Sequence, residues 1–126
     1  MSEYPYLSSY DPAVPACELR LTVRATGQSV TVQAIIDTGA DGTLVPIAFL
    51  NRVGARRVFE TGLRSQWGER RRVFLYLADI HVGPVVLPGM YVVGDEVGQE
   101  TILGRNVLNH LRLLLDGPAA LTRVTP

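Results

Sequence analysis

The fold is decided by the stretch Val30-Thr31-Val32-Gln33-Ala34-Ile35-Ile36-Asp37-Thr38-Gly39-Ala40-Asp41. Its first seven residues place apolar side chains at every second position, a pattern that predicts a half-buried strand. Asp37 then leaves the strand where core meets solvent, and Gly39 permits a sharp turn. A carboxylate in a rigid turn suits acid–base chemistry, although Asp, Thr and Gly are also ordinary turn formers.

A second segment narrows the interpretation. It reads Thr101-Ile102-Leu103-Gly104-Arg105-Asn106-Val107-Leu108, an apolar pair and a glycine followed by a short helical pattern. Together with Asp37-Thr38-Gly39-Ala40-Asp41, it resembles the retropepsin-like aspartic peptidases, which include the retroviral proteases. The likeness covers about residues 17–124. The resemblance implies that the strand Ile102-Leu103-Gly104 passes beneath the catalytic loop, where Gly104 is small enough to let the backbones of strand and loop approach each other.

Turn signals about every ten residues predict an all-β fold, a small closed β-barrel of the retropepsin-like (acid protease) type. Residues 1–16, rich in Tyr and Pro, are expected to be an extended N-terminal arm without regular structure, and residues 17–126 a single peptidase domain. Two short helices are predicted over 46–53 and 105–111. The predicted strands are 18–25, 30–36, 43–45, 56–66, 70–82, 85–93 with a break at Pro88-Gly89, 112–115 and 119–124.

Composition limits the other classes of function. Twelve basic residues, all arginine, balance twelve acidic ones, so no overall field favours nucleic acid, although seven arginines lie between Arg52 and Arg72. Cys17 is the only cysteine and is expected to be a small buried hydrophobe. His81 and His110 are too few for a zinc site, so neither metal nor cofactor is predicted. No signal peptide or membrane span is evident, which predicts a cytoplasmic protein without a membrane partner.

Peptide hydrolysis by carboxylates needs two of them, and this chain offers the motif once. The resemblance therefore implies a homodimer that pairs Asp37 with its twofold mate and acts on a polypeptide substrate. It also implies that Thr38 bonds to the opposite subunit and that Gly39 presents a carbonyl to substrate. Asp41 and Arg105 are expected to pair, unless Asp41 only caps a turn. Ala40 has no hydroxyl for the catalytic carboxylate, which favours an activity optimum nearer neutral pH than in pepsin-like enzymes.

The long hairpin around Trp67-Gly68 corresponds by resemblance to the family's flap. Trp67 either closes over bound peptide or packs on the barrel's own flank, and this bulky tip departs from the usual glycine-rich one. The alternative function is thus a dimerisation or peptide-binding module with weak or no proteolysis. A third alternative is an Arg-rich nucleic-acid-binding barrel. The N-terminal arm and the strands within 112–124 are expected to form a sheet between subunits.

Overall fold

The structure is a computed structural model that describes residues 2–64 and 68–126. These residues are mostly in strands, with two short helices, which confirms the all-β prediction. In chain order the elements are β1 Ser2–Pro5, β2 Ala16–Val23, β3 Gln28–Ile36, β4 Leu44–Pro46, α1 Ile47–Arg52, β5 Arg57–Arg64, β6 Arg70–Val82, β7 Val85–Asp95, β8 Thr101–Leu103, α2 Arg105–Leu108, β9 Arg112–Asp116 and β10 Leu121–Thr125.

The larger sheet closes on itself. Its strands follow the order β2-β3-β8-β4-β7-β6-β5, and an additional β2–β6 pairing makes a closed barrel of six strands, with β5 outside the closure. Alternation along β2 and β3 turns the apolar side chains inward, as predicted. The buried residues of these two strands are Ala16, Cys17, Leu19, Leu21, Val23, Val30, Val32, Ala34 and Ile36. Because β3 ends at Ile36, Asp37 lies at the rim of the barrel.

The two motifs of the sequence meet in this sheet. β3 and β8 run parallel, with Ile36 opposite Leu103, and β4 pairs antiparallel with β8 through Leu44 and Ile102. The strand that carries the Asp37 turn and the strand that carries Gly104 are therefore direct neighbours. Their ends lie at the same level of the barrel.

The N-terminal residues differ from the sequence-based expectation. Ser2–Pro5 form regular structure, the strand β1, which pairs with β10 of the same chain, and β9 takes the other edge of β10. Arg123 of β10 ties the three strands together by donating to Glu3 at 2.7 Å and to Asp116 at 3.1 Å. These bonds raise the pKa of Arg123, that from Glu3 most. Both edges of β10 are thus paired within the chain, so a sheet between subunits would use the outer edges of β1 and β9, and it stays a prediction.

Strand β7 is longer than predicted because it passes through Pro88-Gly89 without ending. Gly89 has a φ of +64°, and its N–H donates to the Asp79 carboxylate at 2.8 Å instead of to the sheet. The β6–β7 register shifts nearby, between Ala78 and Ile80. A bulge thus accommodates the proline that was expected to break the strand.

Helix α2 is shorter than the predicted helix over 105–111, because it ends at Leu108.

The predicted long hairpin is present as β5 and β6, paired from Arg57 with Tyr76 to Arg64 with Arg70. Gly68 has a φ of +84°, the left-handed conformation that glycine favours. Trp67 lies outside the described residues. In the part of the chain that the structure describes, the helices are too short to span a membrane.

Candidate active site

The Asp37 turn is held by its own hydrogen bonds. The backbone N–H of Asp37 donates to the carbonyl of Leu103 at 3.1 Å, which fixes the end of β3 to β8. One carboxylate oxygen of Asp37 accepts the Gly39 N–H at 2.9 Å, and the Asp37 carbonyl accepts the Ala40 N–H at 3.2 Å. Asp37 itself is exposed. The turn thus presents an anchored carboxylate to solvent, as a general base or acid requires.

Gly104 lies directly beneath this turn. Its φ of −95° suits any residue, so the need for glycine comes from space alone. A Cβ at position 104 would lie 2.1 Å from the Gly42 carbonyl oxygen, 2.5 Å from its carbonyl carbon and 3.0 Å from the Ala40 oxygen. The backbones of the Asp37 turn and of β8 are therefore in a contact that excludes every side chain.

Arg105 joins the turn to the start of α2. Its backbone N–H donates to the Ala40 carbonyl at 2.8 Å, and its guanidinium donates to the Thr38 carbonyl at 2.7 Å. The guanidinium also bonds the carboxylate of Asp41. Because the Asp41 side chain is 91% exposed, this ion pair contributes at most about 1 kcal/mol to stability. The bond to Thr38 holds the carbonyl of the residue next to Asp37.

Two polar residues that the sequence analysis did not single out complete the support. Thr43 is fully buried, and its hydroxyl accepts the Gly104 N–H at 3.1 Å while it donates to the Asn106 side chain at 2.8 Å. The Asn106 amide group in turn donates to the Tyr91 carbonyl of β7 at 2.9 Å. In the sequence, these two residues could have been found only as a threonine that directly precedes the apolar residues of β4 and an asparagine that follows Arg105.

The structure thus brings Asp37, Thr38, Ala40, Asp41 and Arg105 into one cluster at the rim of the barrel, with Gly39 bonded to the carboxylate. The chain contains this aspartate turn once. Among the described residues, no three His, Cys, Asp or Glu side chains are grouped as a metal site would need.

A closed six-stranded barrel in which Asp-Thr-Gly follows β3, and a glycine follows the neighbouring apolar strand β8, is the retropepsin-like class of fold. The family model described as "gag-polyprotein putative aspartyl protease" matches residues 21–110. The chain therefore belongs to this family of retropepsin-like aspartic proteases.

Solved structures share the fold at low sequence identity. The EIAV protease in complex with the inhibitor HBY-793 is 21% identical, with a TM-score of 0.59 over 77% of this chain and 86% of that chain. A retropepsin-like aspartic protease from Rickettsia conorii is 13% identical, with a TM-score of 0.57 over 88% and 92%. The retroviral protease-like domain of Ddi1 from Leishmania major is 16% identical, with a TM-score of 0.50 over 90% and 96%. No curated protein matches the chain.

Proposed function

We propose that the protein is a homodimeric aspartic endopeptidase in which each subunit supplies Asp37. The observation that carries the proposal is the exposed Asp37 turn, anchored on β8 in a barrel of the aspartic protease family. A twofold axis next to this turn brings the two aspartates together, because an isologous contact places the same residue of each subunit on both sides of the axis. The motif occurs once in these 126 residues, which favours this pairing.

The chemistry follows from the closeness of the two carboxylates. Two carboxylates about 3 Å apart cannot both ionise, so the pair shares one proton. The ionised Asp37 takes a proton from water while the water oxygen bonds to the peptide carbonyl carbon, and the protonated Asp37 gives its proton to the carbonyl oxygen. The Asp37 that took the water proton then gives it to the amide nitrogen, while the other Asp37 takes back a proton from a hydroxyl of the tetrahedral intermediate. The C–N bond breaks, which yields a carboxylic acid and an amine. Neither a metal nor a cofactor takes part.

The β5–β6 hairpin is assigned to cover the bound peptide. Its base lies beside the strand that follows the Asp37 turn, since Phe74 of β6 pairs with Gly94 of β7, and β7 pairs with β4. The Val93 N–H of β7 also donates to the carbonyl of Thr43 at 2.8 Å. The Arg105 bond to Thr38 supports the loop that would meet the partner subunit.

The deciding experiment is the variant Asp37→Asn, tested on a mixed peptide library with and without a pepstatin-type inhibitor. The amide has the shape of the carboxylate but cannot act as base, so hydrolysis is expected to disappear while the fold and dimer persist. Glu96→Gln, which makes the same chemical change in an exposed loop, is the matched control. Turnover by purified Asp37→Asn within a few-fold of the parent would contradict the catalytic assignment.

The dimer is tested by dilution. Below the dimer dissociation constant, specific activity should fall as protein concentration falls, because a lone subunit holds half of the dyad. A monomer in sedimentation that still cleaves with constant specific activity would contradict the twofold site. A stable dimer that binds peptide but never cleaves would instead support the rival function, a peptide-binding module that keeps the barrel.

A further inference from the structure

The outer edge of β9 is unpaired in the part of the chain that the structure describes. β10 pairs with β1 on one side and with β9 on the other, so β9 is the last strand of this sheet. A free strand edge is a template for another strand, and proteins usually protect it with charges, a proline or a bulge. β9 reads Arg112-Leu113-Leu114-Leu115-Asp116 and keeps an unshifted register with β10. The centre of its edge therefore has no such protection.

Leu115 of β9 is exposed although it lies on the core side of the sheet. It pairs with Thr122 of β10, and Leu113 pairs with Val124. Both β10 residues are fully buried, and Leu113 packs against the core. By alternation Leu115 belongs to the same face, yet it is 44% exposed. A strand added to the edge of β9 would cover this leucine.

The sequence of β9 complements itself when a second copy runs antiparallel to it. If Leu114 lies opposite the partner's Leu114, Arg112 lies opposite the partner's Asp116. Leu113 then lies opposite the partner's Leu115, on the core side of both copies. A twofold axis through the centre repeats each of these pairs on its other side.

The charges select this register. Directly paired residues lie on one face of the sheet, so the register changes only in steps that keep the core-facing residues together. The next step in one direction places Arg112 opposite the partner's Leu114, and the next step in the other direction places Asp116 there. Either shift removes the ion pairs and leaves a charge against a leucine.

Both charged groups can take part in this pairing. Arg112 is exposed and forms no ion pair with a carboxylate of the described residues. Asp116 accepts a bond from Arg123 on one oxygen and from the Ala119 N–H on the other, each at 3.1 Å. A carboxylate has about four acceptor positions, so Asp116 can accept a further donor. Because Arg123 also serves Glu3, these two carboxylates share one guanidinium, and the partner's Arg112 offsets the remaining negative charge.

We propose that two copies of the chain associate edge to edge through β9, with Arg112 of each paired with the partner's Asp116. Each copy then contributes β1, β10 and β9 to one continuous sheet. This inference rests on the proposed function, which needs a second copy to supply the second Asp37. β9 follows α2, whose first residue Arg105 bonds the Asp37 turn, so the interface lies close in the chain to the site that it completes.

The first test is a disulfide across the twofold axis, made in Asp37→Asn protein. The two Cα atoms of residue 114 would lie roughly 5 Å apart, within the span of a disulfide. Leu114→Cys should therefore form a covalent dimer when oxidised with copper phenanthroline, and Cys17 is buried. Leu115→Cys is the matched control, because it is also exposed but would lie roughly 8 Å from its own counterpart. Equal linking of the two variants, or linking of Leu115→Cys alone, would overturn the proposal.

The second test reverses the charges and follows the dimer by sedimentation at low salt. Arg112→Asp should raise the dimer dissociation constant about tenfold, because it turns the ion pairs on both sides of the axis into repulsions. The double variant Arg112→Asp/Asp116→Arg should lower it again. Arg56→Asp, the same change in the exposed segment between α1 and β5, should leave it at the parental value. Equal constants for Arg112→Asp and Arg56→Asp would contradict the pairing.

These measurements are independent of cleavage. If Leu114→Cys links the subunits but the protein with Asp37 intact cleaves no peptide, the interface stands and the peptidase assignment falls. If an active dimer gives no link at Leu114→Cys, the interface is wrong and the peptidase assignment stands.

Discussion

Replacing Gly104 with alanine tests how strictly β8 must approach the Asp37 turn. The added methyl group would lie 2.1 Å from the Gly42 oxygen, whereas real Cβ contacts are almost never under 3.0 Å. The two backbones would have to separate by about 0.9 Å, the difference between those two distances. Because both obstructing groups belong to the backbone, no side chain can rotate away to make room.

Two effects of this separation can be estimated. Forcing a methyl group into a packed site costs about 1–3 kcal/mol of unfolding free energy. A misplacement of roughly 1 Å at a catalytic group can lower the rate about 100-fold. The Asp37 N–H bond to Leu103 and the Arg105 N–H bond to Ala40 both cross the widened gap, so the displacement reaches the carboxylate directly.

The assay is denaturant unfolding of Gly104→Ala and the parent at one fixed protein concentration, followed by kcat/KM on a library-derived peptide. Gly117→Ala is the control, because a Cβ there meets nothing within 4 Å. If Gly104→Ala unfolds at the parental midpoint and cleaves at the parental rate, the close approach is not required. If stability falls but kcat/KM per dimer does not, the contact supports the fold without positioning Asp37.

Three further predictions concern single side chains. In a urea titration, Thr43→Val should lose about 1–3 kcal/mol of unfolding free energy, because the Gly104 N–H and the Asn106 side-chain oxygen lose their partner. The control is Thr122→Val, which should leave the unfolding free energy unchanged, because the buried Thr122 hydroxyl has no partner among the described residues. Arg105→Ala should change the unfolding free energy by less than about 1 kcal/mol, because the ion pair with Asp41 is exposed. It should nevertheless lower kcat, since the Thr38 carbonyl loses its hydrogen bond, and a parental kcat would show that Arg105 does not position the Asp37 turn. Burial, with a smaller effect of the Glu18 charge, raises the pKa of Cys17 from 9.0 to about 12, so its contribution to stability is complete below pH 9 and is lost as the pH rises toward 12. The stability difference between wild type and Cys17→Ala should thus shrink by about 1.4 kcal/mol per pH unit above pH 9, and a constant difference would refute the burial argument.

The barrel strands could be predicted because their information is local. Val30, Val32 and Ala34 alternate without interruption, and burial of that face follows directly from the period of a strand. The β1 strand could not be predicted, because its partner β10 lies at the other end of the chain and its Tyr and Pro residues favour no element. Long-range pairing of this kind leaves no periodic signal in a single sequence.

Part of the candidate site could also be predicted and part could not. The Asp37 turn is visible in the sequence as Asp-Thr-Gly after an apolar strand, and the position of Gly104 beneath it followed from the family resemblance. Thr43 was missed because a lone threonine before a strand is ordinary until its burial is known. The exposure of Asp41 could not be predicted either, although its contact with Arg105 was predicted and is present.

The intramolecular pairing of β1 with β10 separates folding from assembly. Each subunit completes its terminal sheet alone, so dissociation of the proposed dimer leaves a folded barrel that exposes no unpaired C-terminal strand. In the proposed dimer, subunits would then exchange without first unpairing this sheet. The onset of the proposed proteolysis would depend on the local concentration of subunits, because only a pair of them holds both aspartates.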